Sequence, residues 1–458
     1  MLRAPTMTIS MRRREFLKNA TGAVAAGAGL GPWVAAGCSE TSTSGRQAVT
    51  MWDFSWLTRR DGAEAEYANW DKVLDELAGR GYDTIRMDAF PHLVAAGPGG
   101  EQVDRFTILP QTPLFMWGNH SPVDVGPRAG LIEFITKVRS RGMNVGLSTW
   151  FTDDTLHRAD TVATPADYAR VWRETLDHLA DAKLLDAVQW VDLCNEFPIG
   201  KWAKGAYPLI FDGADAADPI PAISEWSPEA QTRVQQYLDE GIGPVREAYP
   251  ELSYTFSFES VSGYNARQLD TSSLDLAEVH VWLSSDLVFN AISGQLDLLL
   301  ELGPDKLAAH AEKAPEVYFS ERDKWLRTLD GLMEEWANWA AERTLPLVTS
   351  ESWGPINYDD VDSIEGTSEW DWVKDVCAEG VRMAIDKGWS GICTSNFAQP
   401  HFEGMWSDIV RSRTSRACGP TLVGTESKPA GSNEARSLCP KHRAVAPPRL
   451  PVFSFVRR

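Results

Sequence analysis

Short apolar runs alternate with amphipathic stretches from Val49 onward. Continuous apolar runs are typical of strands buried on both faces, and apolar residues at every third or fourth position are typical of helices that cover a sheet. Eight runs predict strands: Thr50–Phe54, Thr84–Asp88, Asn144–Thr149, Ala187–Leu193, Ser253–Phe258, Leu276–Val281, Leu345–Thr349 and Gly391–Thr394. Five stretches between them predict helices: Asn69–Gly79, Ala166–Ala182, Pro228–Tyr249, Glu321–Glu342 and Ser368–Gly388.

Repeated strand–helix units predict an α/β fold of the (β/α)8 TIM-barrel type over residues 49–410. Such a barrel needs about 250 residues, and the surplus lies in three long connections: Pro91–Asp124, Phe197–Ser224 and Leu283–Phe319. The rival fold, a doubly wound sheet, would carry a Gly-rich phosphate-binding turn after an early strand. No helical pattern follows the loop at Gly97–Gly100, so the barrel is favoured.

The ends of the chain differ in charge from its middle. Residues 1–38 and 411–458 are basic, whereas residues 39–410 carry 29 Lys and Arg against 61 Asp and Glu. An acidic surface repels phosphate backbones, so nucleic acid is not expected as a partner, whereas neutral sugars remain compatible. Residues 411–458 are rich in Pro and Ser without periodicity, which predicts a disordered tail; a tail that binds an anionic surface is the alternative.

The N-terminal segment has the pattern of an export signal. Arg13-Arg14-Glu15-Phe16-Leu17-Lys18 matches the twin-arginine motif, and Ala20–Ala36 suits the apolar region of a signal but is too poor in large side chains for a transmembrane helix. A lipoprotein-like site ends at Cys38, with Ala35 where Leu is usual. We therefore predict a signal over residues 1–38, a flexible tether over 39–48 and an extracytoplasmic protein, periplasmic, at the cell surface or secreted. A lipid on Cys38 would be its one membrane anchor; a merely basic tail is the alternative.

Metal and thiol chemistry find little support in the sequence. No Cys pair has CxxC spacing, and Cys194 and Cys393 fall in apolar runs, where they are expected as small buried residues. The three loop histidines show neither HxH nor HExxH spacing: His92, His120 and His157. A GxSxG elbow is also missing, which disfavours an esterase. We predict neither a metal nor a cofactor.

Charged and aromatic residues gather where the predicted strands end. Strand 2 ends in Arg86-Met87-Asp88, Asn195-Glu196 follows strand 4, strand 6 ends in His280-Val281-Trp282, and Glu351-Ser352-Trp353-Gly354 follows strand 7. Catalytic residues of (β/α)8 barrels lie at these C-terminal ends. An Arg within an apolar strand needs a neighbouring anion, so Arg86 is expected to face a carboxylate.

These four motifs, in this order along Val49–Trp406, resemble the cellulase-like branch of glycoside hydrolase clan A, retaining β-glycosidases of the family-five type. The resemblance implies that Glu196 is the acid/base and Glu351 the nucleophile. It implies three supporting residues: Arg86, which would hold Glu351 ionised, Asn195, which would bond the sugar 2-hydroxyl, and His280, which would belong to the surrounding hydrogen-bond network.

Glycosidic cleavage explains why two carboxyl groups would be needed. One must protonate the leaving oxygen while the other, ionised, attacks the anomeric carbon, and in retaining enzymes the two stand about 5–5.5 Å apart. A cation beside Glu351 is expected to lower its pKa, and the charge of Glu351 to raise that of Glu196. Asp88 and Glu259 also lie at strand ends, and they are the alternative catalytic acids if Glu196 or Glu351 is assigned wrongly. Three further acids are expected to bind sugar hydroxyls or to cap loops: Asp53, Asp153 and Asp154.

Aromatic side chains at the same end predict packing against sugar rings. The candidates are Trp52, Trp56, Trp150, Trp282 and Trp353, with Trp117 and Trp202 in long connections and Asn396 after strand 8. Two positions depart from the family pattern: Trp282 stands where Tyr is usual, and Thr394–Phe397 lacks the usual Trp. The identity of the sugar therefore stays open.

Three functions remain in competition. The main hypothesis is a retaining hydrolase of a β-linked glycan such as a glucan or mannan. A non-catalytic sugar-binding lipoprotein on the same barrel is the first alternative, and a metal-dependent hydrolase that uses strand-end Asp residues is the second. Turnover of a glycan would distinguish the hydrolase from the non-catalytic sugar-binding protein. Loss of activity on chelation would distinguish the metal-dependent hydrolase from the retaining one.

Overall fold

The computed structural model describes the chain over residues 46–62, 64–110, 118–259, 263–300, 303–354, 356, 358 and 370–407. The predicted signal segment, the tether up to residue 45, Trp117 and the tail over residues 411–458 lie outside the described residues. Within the described part of the chain, every helix is too short or too polar to span a bilayer.

Twelve strands are found in the described residues, and all eight predicted strands are among them. Their bounds are β1 Gln47–Asp53, β2 Thr84–Asp88, β3 Phe106–Ile108, β4 Val123–Val125, β5 Asn144–Ser148, β6 Val188–Asp192, β7 Tyr254–Thr255, β8 Ser257–Glu259, β9 Ala277–Trp282, β10 Leu347–Thr349, β11 Ser352–Trp353 and β12 Gly391–Cys393. The predicted fifth strand corresponds to β7 and β8, which are separated by Phe256 alone.

The α-helices of the described residues lie between these strands, except the last, which follows β12. Their bounds are α1 Ser55–Thr58, α2 Trp70–Arg80, α3 Pro91–Val94, α4 Pro127–Ser140, α5 Pro165–Asp181, α6 Tyr207–Ile210, α7 Ile220–Ile223, α8 Pro228–Gln236, α9 Ile242–Ala248, α10 Gly263–Ala266, α11 Leu287–Ser293, α12 Gln295–Leu300, α13 Pro304–Ser320, α14 Arg322–Glu342, α15 Asp371–Asp386 and α16 Glu403–Trp406. A π-helical turn over Tyr237–Gly241 joins α8 to α9, so the predicted helix Pro228–Tyr249 is continuous but not uniformly α-helical.

The strand pairings form a nearly closed ring, in which β7 and β8 are consecutive along the chain and are not paired with each other. β1 pairs with β2, followed by β5, β6 and β7; β8 pairs with β9, followed by β10 and β12, and β12 returns to β1. Every pair in this ring is parallel. The prediction of a (β/α)8 barrel is confirmed.

The three long connections contain structure that the pattern did not predict. The first includes an antiparallel hairpin of β3 and β4, the second includes α6 and α7, and the third includes α11, α12 and most of α13. These elements are short or lie outside the strand–helix repeat, so local periodicity predicts them poorly.

Helix α5 shows how the sequence defines an element of the barrel wall. The Thr164 hydroxyl accepts from the Asp167 N–H while the Asp167 carboxylate accepts from the Thr164 N–H, and Pro165 occupies the first helical turn. This reciprocal cap satisfies N–H groups that a helix start leaves free. Tyr168, Trp172, Leu176 and Leu179 then recur on the buried face, which holds the helix against the sheet.

Two sets of apolar residues form the core. The larger set lies between the sheet and its helices, and a second cluster joins one residue from each of β1, β6 and β10 to Leu276, just before β9: Val49, Trp190, Leu276 and Val348. Cys194 and Cys393 are buried and unpaired, which confirms their prediction as core residues.

Candidate active site

Acidic side chains stabilise the turns that follow several strands of the barrel. The carboxylates of Asp53, Asp88 and Asp192 accept from the backbone N–H two residues further on, at 2.6, 2.6 and 3.3 Å. Asp88 also accepts from the Trp150 N–H at 3.1 Å. Such local bonds pre-form a turn, so Asp53 and Asp88 act as loop caps.

Asp153 and Asp154 follow β5 and were expected to cap loops or to bind sugar hydroxyls. Asp154 caps its own loop, with its two oxygens accepting from the N–H groups of Leu156 and Arg158 at 2.7 and 2.8 Å. Asp153 instead pairs with Lys204. Both carboxylates therefore hold loops at the C-terminal end of the barrel.

Arg86 is shared by three buried carboxylates. Its Nη1 donates to Glu351 Oε1 and its Nη2 to Asp192 Oδ2, each at 2.7 Å. Its Nε lies 2.7 Å from Glu278 Oε1. Further acceptors for Nη2 are the side-chain oxygens of Ser148, Asn195 and Ser257. The expectation that Arg86 faces an anion is confirmed, but the guanidinium serves three anions rather than one.

Asp192 and Glu278 are members of this ion cluster that the sequence analysis missed. Successive side chains of a strand point to opposite faces, and in β9 the alternate residues Glu278, His280 and Trp282 share one face. A charged residue two positions before His280 in an apolar strand therefore indicates a second charged side chain on the face of His280. Asp192 is likewise a charged residue in a mostly apolar strand, at the last position of β6, and its inward direction could have been predicted for the same reason.

Glu196 and Glu351 come together at the C-terminal ends of β6 and β10. Oxygen atoms of the two carboxyl groups lie within 4.8 Å of each other. His280 stands between them, with Nδ1 3.1 Å from Glu196 Oε1 and 3.9 Å from Glu351 Oε1. Two carboxyl groups this close cannot both ionise without a large energetic cost, so their protonation is linked.

The backbone around Glu196 aims this side chain at its partners. Glu196 has a left-handed φ of 46°, and its N–H donates to Ser257 Oγ at 2.9 Å. Its carboxylate accepts from Trp202 Nε1 at 3.2 Å. A non-glycine residue in the left-handed region is strained and is often found at a functional site. Trp202, predicted only as an aromatic of a long connection, contacts the acid/base candidate directly.

Four carboxyl groups in the cluster face two cations, Arg86 and His280. Burial opposes the charged form of His280, but Glu351 and hydrogen bonding to Glu196 and Glu278 raise its pKa to about 10. With two positive charges available, the cluster retains protons on some of its acids. Burial raises the pKa of Asp192 to about 6.

The pKa shifts of Glu196 and Glu351 are opposite in direction to those expected from the sequence. Burial raises the pKa of Glu351 to about 7, and the charge of Glu196 adds to this effect, whereas His280 and Arg86 oppose it. Burial also disfavours ionised Glu196, but bonds from His280 and Trp202 outweigh it and lower the pKa of Glu196. The reversal arises because Arg86 is divided among three anions and because His280 donates to Glu196.

The raised pKa of Glu351 predicts a pH-dependent stability. Below pH 4.5 this carboxyl is protonated in both states; as pH rises towards 7 the unfolded chain ionises first, so folding loses stability. Glu351→Gln cannot titrate. We expect wild type to lose about 2 kcal/mol relative to this variant between pH 5 and 7, measured by urea unfolding. Parallel pH profiles would mean that Glu351 is ionised throughout.

Asn195, Trp150 and Trp282 lie around the pair. Asn195 accepts from Arg86 Nη2 at 2.8 Å, and its buried Nδ2 is without a hydrogen-bond partner. Trp150 covers Arg86, whose Cζ is 4.6 Å from the ring centroid, and its buried Nε1 is likewise unpartnered. Trp282 ends β9 on the same face as His280. These positions keep all three as candidates for substrate contact.

Trp52 and Trp353 are core residues, which corrects their prediction as sugar platforms. Trp52 donates to the Ala398 carbonyl and packs against Tyr67, Phe134 and Trp406. Trp353 donates to the Cys393 carbonyl, and its ring fits so closely over Gly380 of α15 that a Cβ there would lie 2.5 Å away. Both rings point from the barrel wall towards the helices, where a substrate cannot reach them.

Trp56 and Asn396 also have structural roles. Trp56 is buried against Trp70, Phe90 and Phe134, and its Nε1 donates to the Asp88 carbonyl. Asn396 accepts from the Ser352 N–H at 3.1 Å, one residue after Glu351. Asn396 thus positions the turn that carries Glu351, whereas substrate contact by this residue stays a prediction.

Among the described residues, one group has a spacing that could hold a metal ion, and it is the pair itself with His280. A cation there would occupy the space between the two carboxyl groups. The expectation that the protein works without a metal therefore stays a prediction, which chelation can test.

The family of the chain is shown by comparison with known proteins. A model of the cellulase-like family, described as sugar-binding cellulase-like, matches residues 49–414. A crystal structure from Parabacteroides distasonis, of a protein named as a candidate glycoside hydrolase, is 32% identical, covers 82% of this chain and 93% of its own, and has a TM-score of 0.70. A search of curated proteins found no match.

More distant structures share only a loose similarity. A cellulose synthase subunit Z from Clostridioides difficile is 11% identical over 81% of this chain and 99% of its own, with a TM-score of 0.48. A broad-specificity endoglucanase from Clostridium acetobutylicum is 11% identical over 80% and 96%, with a TM-score of 0.44. The family model, by contrast, covers most of the chain, so the chain belongs to the cellulase-like family and has its glycoside-hydrolase-like barrel.

Proposed function

We propose that this protein is a retaining glycoside hydrolase that cleaves a β-linked glycan by double displacement. The supporting observation is the separation of Glu196 and Glu351, whose oxygens come within 4.8 Å. Retaining pairs stand about 5–5.5 Å apart, and inverting pairs about 6.5–9.5 Å, because an inverting pair must leave room for a water molecule. A gap this small favours direct attack by a carboxylate.

In the first step, ionised Glu351 attacks the anomeric carbon while Glu196 gives its proton to the glycosidic oxygen. The bond from the sugar to Glu351 forms, the glycosidic bond breaks, and the leaving sugar departs with the proton. In the second step Glu196 takes a proton from water, the water oxygen attacks the anomeric carbon, and the bond to Glu351 breaks. Two inversions at one carbon return the β configuration.

In the free protein the pKa of Glu351 is raised and that of Glu196 is lowered, so bound substrate must favour the opposite proton distribution over the pair. Positive charge that develops on the sugar ring stabilises ionised Glu351, and the glycosidic oxygen gives the Glu196 proton an acceptor. His280 contacts both carboxyl groups, at 3.1 and 3.9 Å. It can therefore stabilise the charge on either one as the proton moves.

Substrate contacts are proposed for groups that are buried without partners near the pair. Asn195 Nδ2 would donate to the sugar 2-hydroxyl, Trp150 Nε1 to another hydroxyl, and Trp282 would pack on a sugar ring. The proposal includes an extracytoplasmic location, on the strength of the twin-arginine motif at Arg13-Arg14. We also propose that Cys38 carries a lipid anchor, because the residues that precede it resemble a lipoprotein processing site.

A substrate screen tests the proposal. We expect wild type to hydrolyse at least one member of a panel of aryl β-glycosides, β-glucans and β-mannans, with equal rates in the presence of EDTA. Glu196→Gln and Glu351→Gln should each fold, by their thermal transitions, but show no turnover on the polysaccharides. Loss of activity with EDTA would favour the metal-dependent alternative. Glycan binding without turnover would favour the non-catalytic sugar-binding protein. That alternative is compatible with the description of the family as sugar-binding.

A further inference from the structure

His280 places a nitrogen atom between the carboxyl groups of Glu196 and Glu351. Its Nδ1 lies 3.1 Å from Glu196 Oε1 and 3.9 Å from Glu351 Oε1. One possible ligand atom from each of the three residues lies within 4.8 Å of the other two. In a tetrahedral zinc site with bonds of about 2.0–2.2 Å, neighbouring ligand atoms stand about 3.3–3.6 Å apart. The three side chains are therefore close enough to bind one small cation after modest movements.

The far side of the imidazole has the contacts of a metal-binding histidine. His280 Nε2 lies 3.4 Å from Ser350 Oγ and 3.8 Å from Glu278 Oε1. Histidines that bind zinc almost always donate their second ring N–H to a carboxylate, a carbonyl or water, which fixes the ring and its tautomer. His280 lies in β9, so a strand rather than a loop holds this ligand. Its Nδ1 is thus directed at the carboxyl pair while its Nε2 is held from behind.

The charges around this point also favour a cation. Burial opposes charge on His280, but Glu351, Glu196 and Glu278 outweigh it and raise its pKa to about 10. The negative potential that favours a proton there acts on twice the charge when a divalent ion takes its place. A metal ion binds neutral imidazole, so the proton on Nδ1 leaves as the ion enters. The ion and Arg86 would then bring three positive charges to the four carboxyl groups of the cluster.

The ligand types select the class of metal. One imidazole and two carboxylates suit zinc and similar divalent transition metals. Calcium prefers six to eight oxygen ligands, and magnesium prefers an octahedron of oxygens with several waters. Three protein ligands would leave the fourth position of a zinc ion open.

We propose that Glu196, His280 and Glu351 bind a divalent transition-metal ion such as zinc, and that this ion inhibits the hydrolase proposed above. The inhibition rests on that function, whereas the binding does not. An ion bonded to Glu351 engages the electron pair that would attack the anomeric carbon, and an ion bonded to Glu196 takes the place of its proton. Neither step of double displacement can then proceed. Removal of the ion by a chelator restores both carboxyl groups.

Calorimetry with zinc chloride and metal-free protein tests the site without a substrate. We expect one ion per chain. Glu351→Gln and His280→Phe, which each remove a ligand, should weaken binding by at least about 100-fold, and Ser350→Ala, which removes only a contact of His280 Nε2, by about 10-fold. Thermal transitions verify folding, and Glu351→Gln keeps the test valid if His280→Phe does not fold. His157→Phe removes an exposed imidazole 4.0 Å from Asp160 and should leave the affinity unchanged.

Inhibition is measured on the substrate that wild type hydrolyses fastest. Zinc should raise the apparent KM, because the ion and the substrate compete for the space between the carboxyl groups, and EDTA should reverse the effect. No binding, unchanged binding in Glu351→Gln and His280→Phe, or full turnover by zinc-loaded protein would overturn the inhibitory site and leave the hydrolase standing. Turnover that requires zinc would reject both and favour the metal-dependent hydrolase. Zinc bound by these ligands in a protein that turns over no substrate would reject only the hydrolase.

Discussion

Replacing Glu351 with Ala should lower kcat on an activated aryl β-glycoside by at least about 10⁴-fold, as for other enzymes that lose their nucleophile. Azide should then restore turnover and yield a glycosyl azide of inverted, α configuration. The small anion can occupy the space that the carboxylate leaves and attack the same face of the sugar. With a good leaving group, no proton from Glu196 is needed for that step. Product configuration, measured by NMR, is the readout.

The matched variant Glu196→Ala distinguishes the two roles. Its nucleophile is intact, so an activated substrate should still form the glycosyl–enzyme, and azide should attack that intermediate to give the β product. Opposite configurations from the two variants would establish the assignment. If Glu351→Ala gave the β azide and Glu196→Ala the α azide, the roles would be exchanged, as the proton distribution in the free protein would allow.

Replacing Arg86 with Met should cost at least about 3–5 kcal/mol in the free energy of unfolding, the range for removing one partner of a buried ion pair. Arg86 contacts Asp192, Glu278 and Glu351, all buried, each at 2.7 Å. Without the guanidinium these acids must take up protons or face one another as charges. Urea unfolding at pH 7 measures the loss, and lower pH should reduce it, because protonation removes the repulsion.

Two further variants keep this prediction testable if Arg86→Met does not fold. Arg86→Met combined with Asp192→Asn should recover part of the stability, since one uncompensated charge is gone. Arg139→Met removes an exposed pair with Asp186, with side chains 42% and 69% exposed, and should cost no more than about 1 kcal/mol. Equal losses for Arg139→Met and Arg86→Met would contradict a central role for the buried cluster.

The barrel and its two glutamates could be predicted because both depend on local patterns. Apolar runs identified the strands, and the ends of parallel strands meet at one end of a barrel, so Glu196 and Glu351 were expected to converge although they lie far apart in sequence. Inward-facing charges were predictable in principle as well. Glu278 was not predicted because it lies near the start of β9, two residues before His280 on the same face, and not at the strand end where catalytic residues were expected.

The direction of each tryptophan could not be predicted in the same way. Trp52 and Trp282 both lie at the ends of strands, yet Trp52 packs against Phe134 of α4 while Trp282 shares a face with His280. Neighbouring residues of a strand point to opposite sides, so a shift of one residue in the assumed register exchanges the barrel interior for the helix layer.

By itself, the sequence determined the strand–helix alternation, the barrel that follows from it and the acidic and basic residues at the strand ends, because these depend on periodicity and on position within an element. Only the tertiary structure decided that Arg86 is shared by three carboxylates, that His280 donates to Glu196 and that Trp202 donates to the same acid. Protonation depends on distances of a few ångströms between side chains from different strands. No local pattern in a chain encodes those distances.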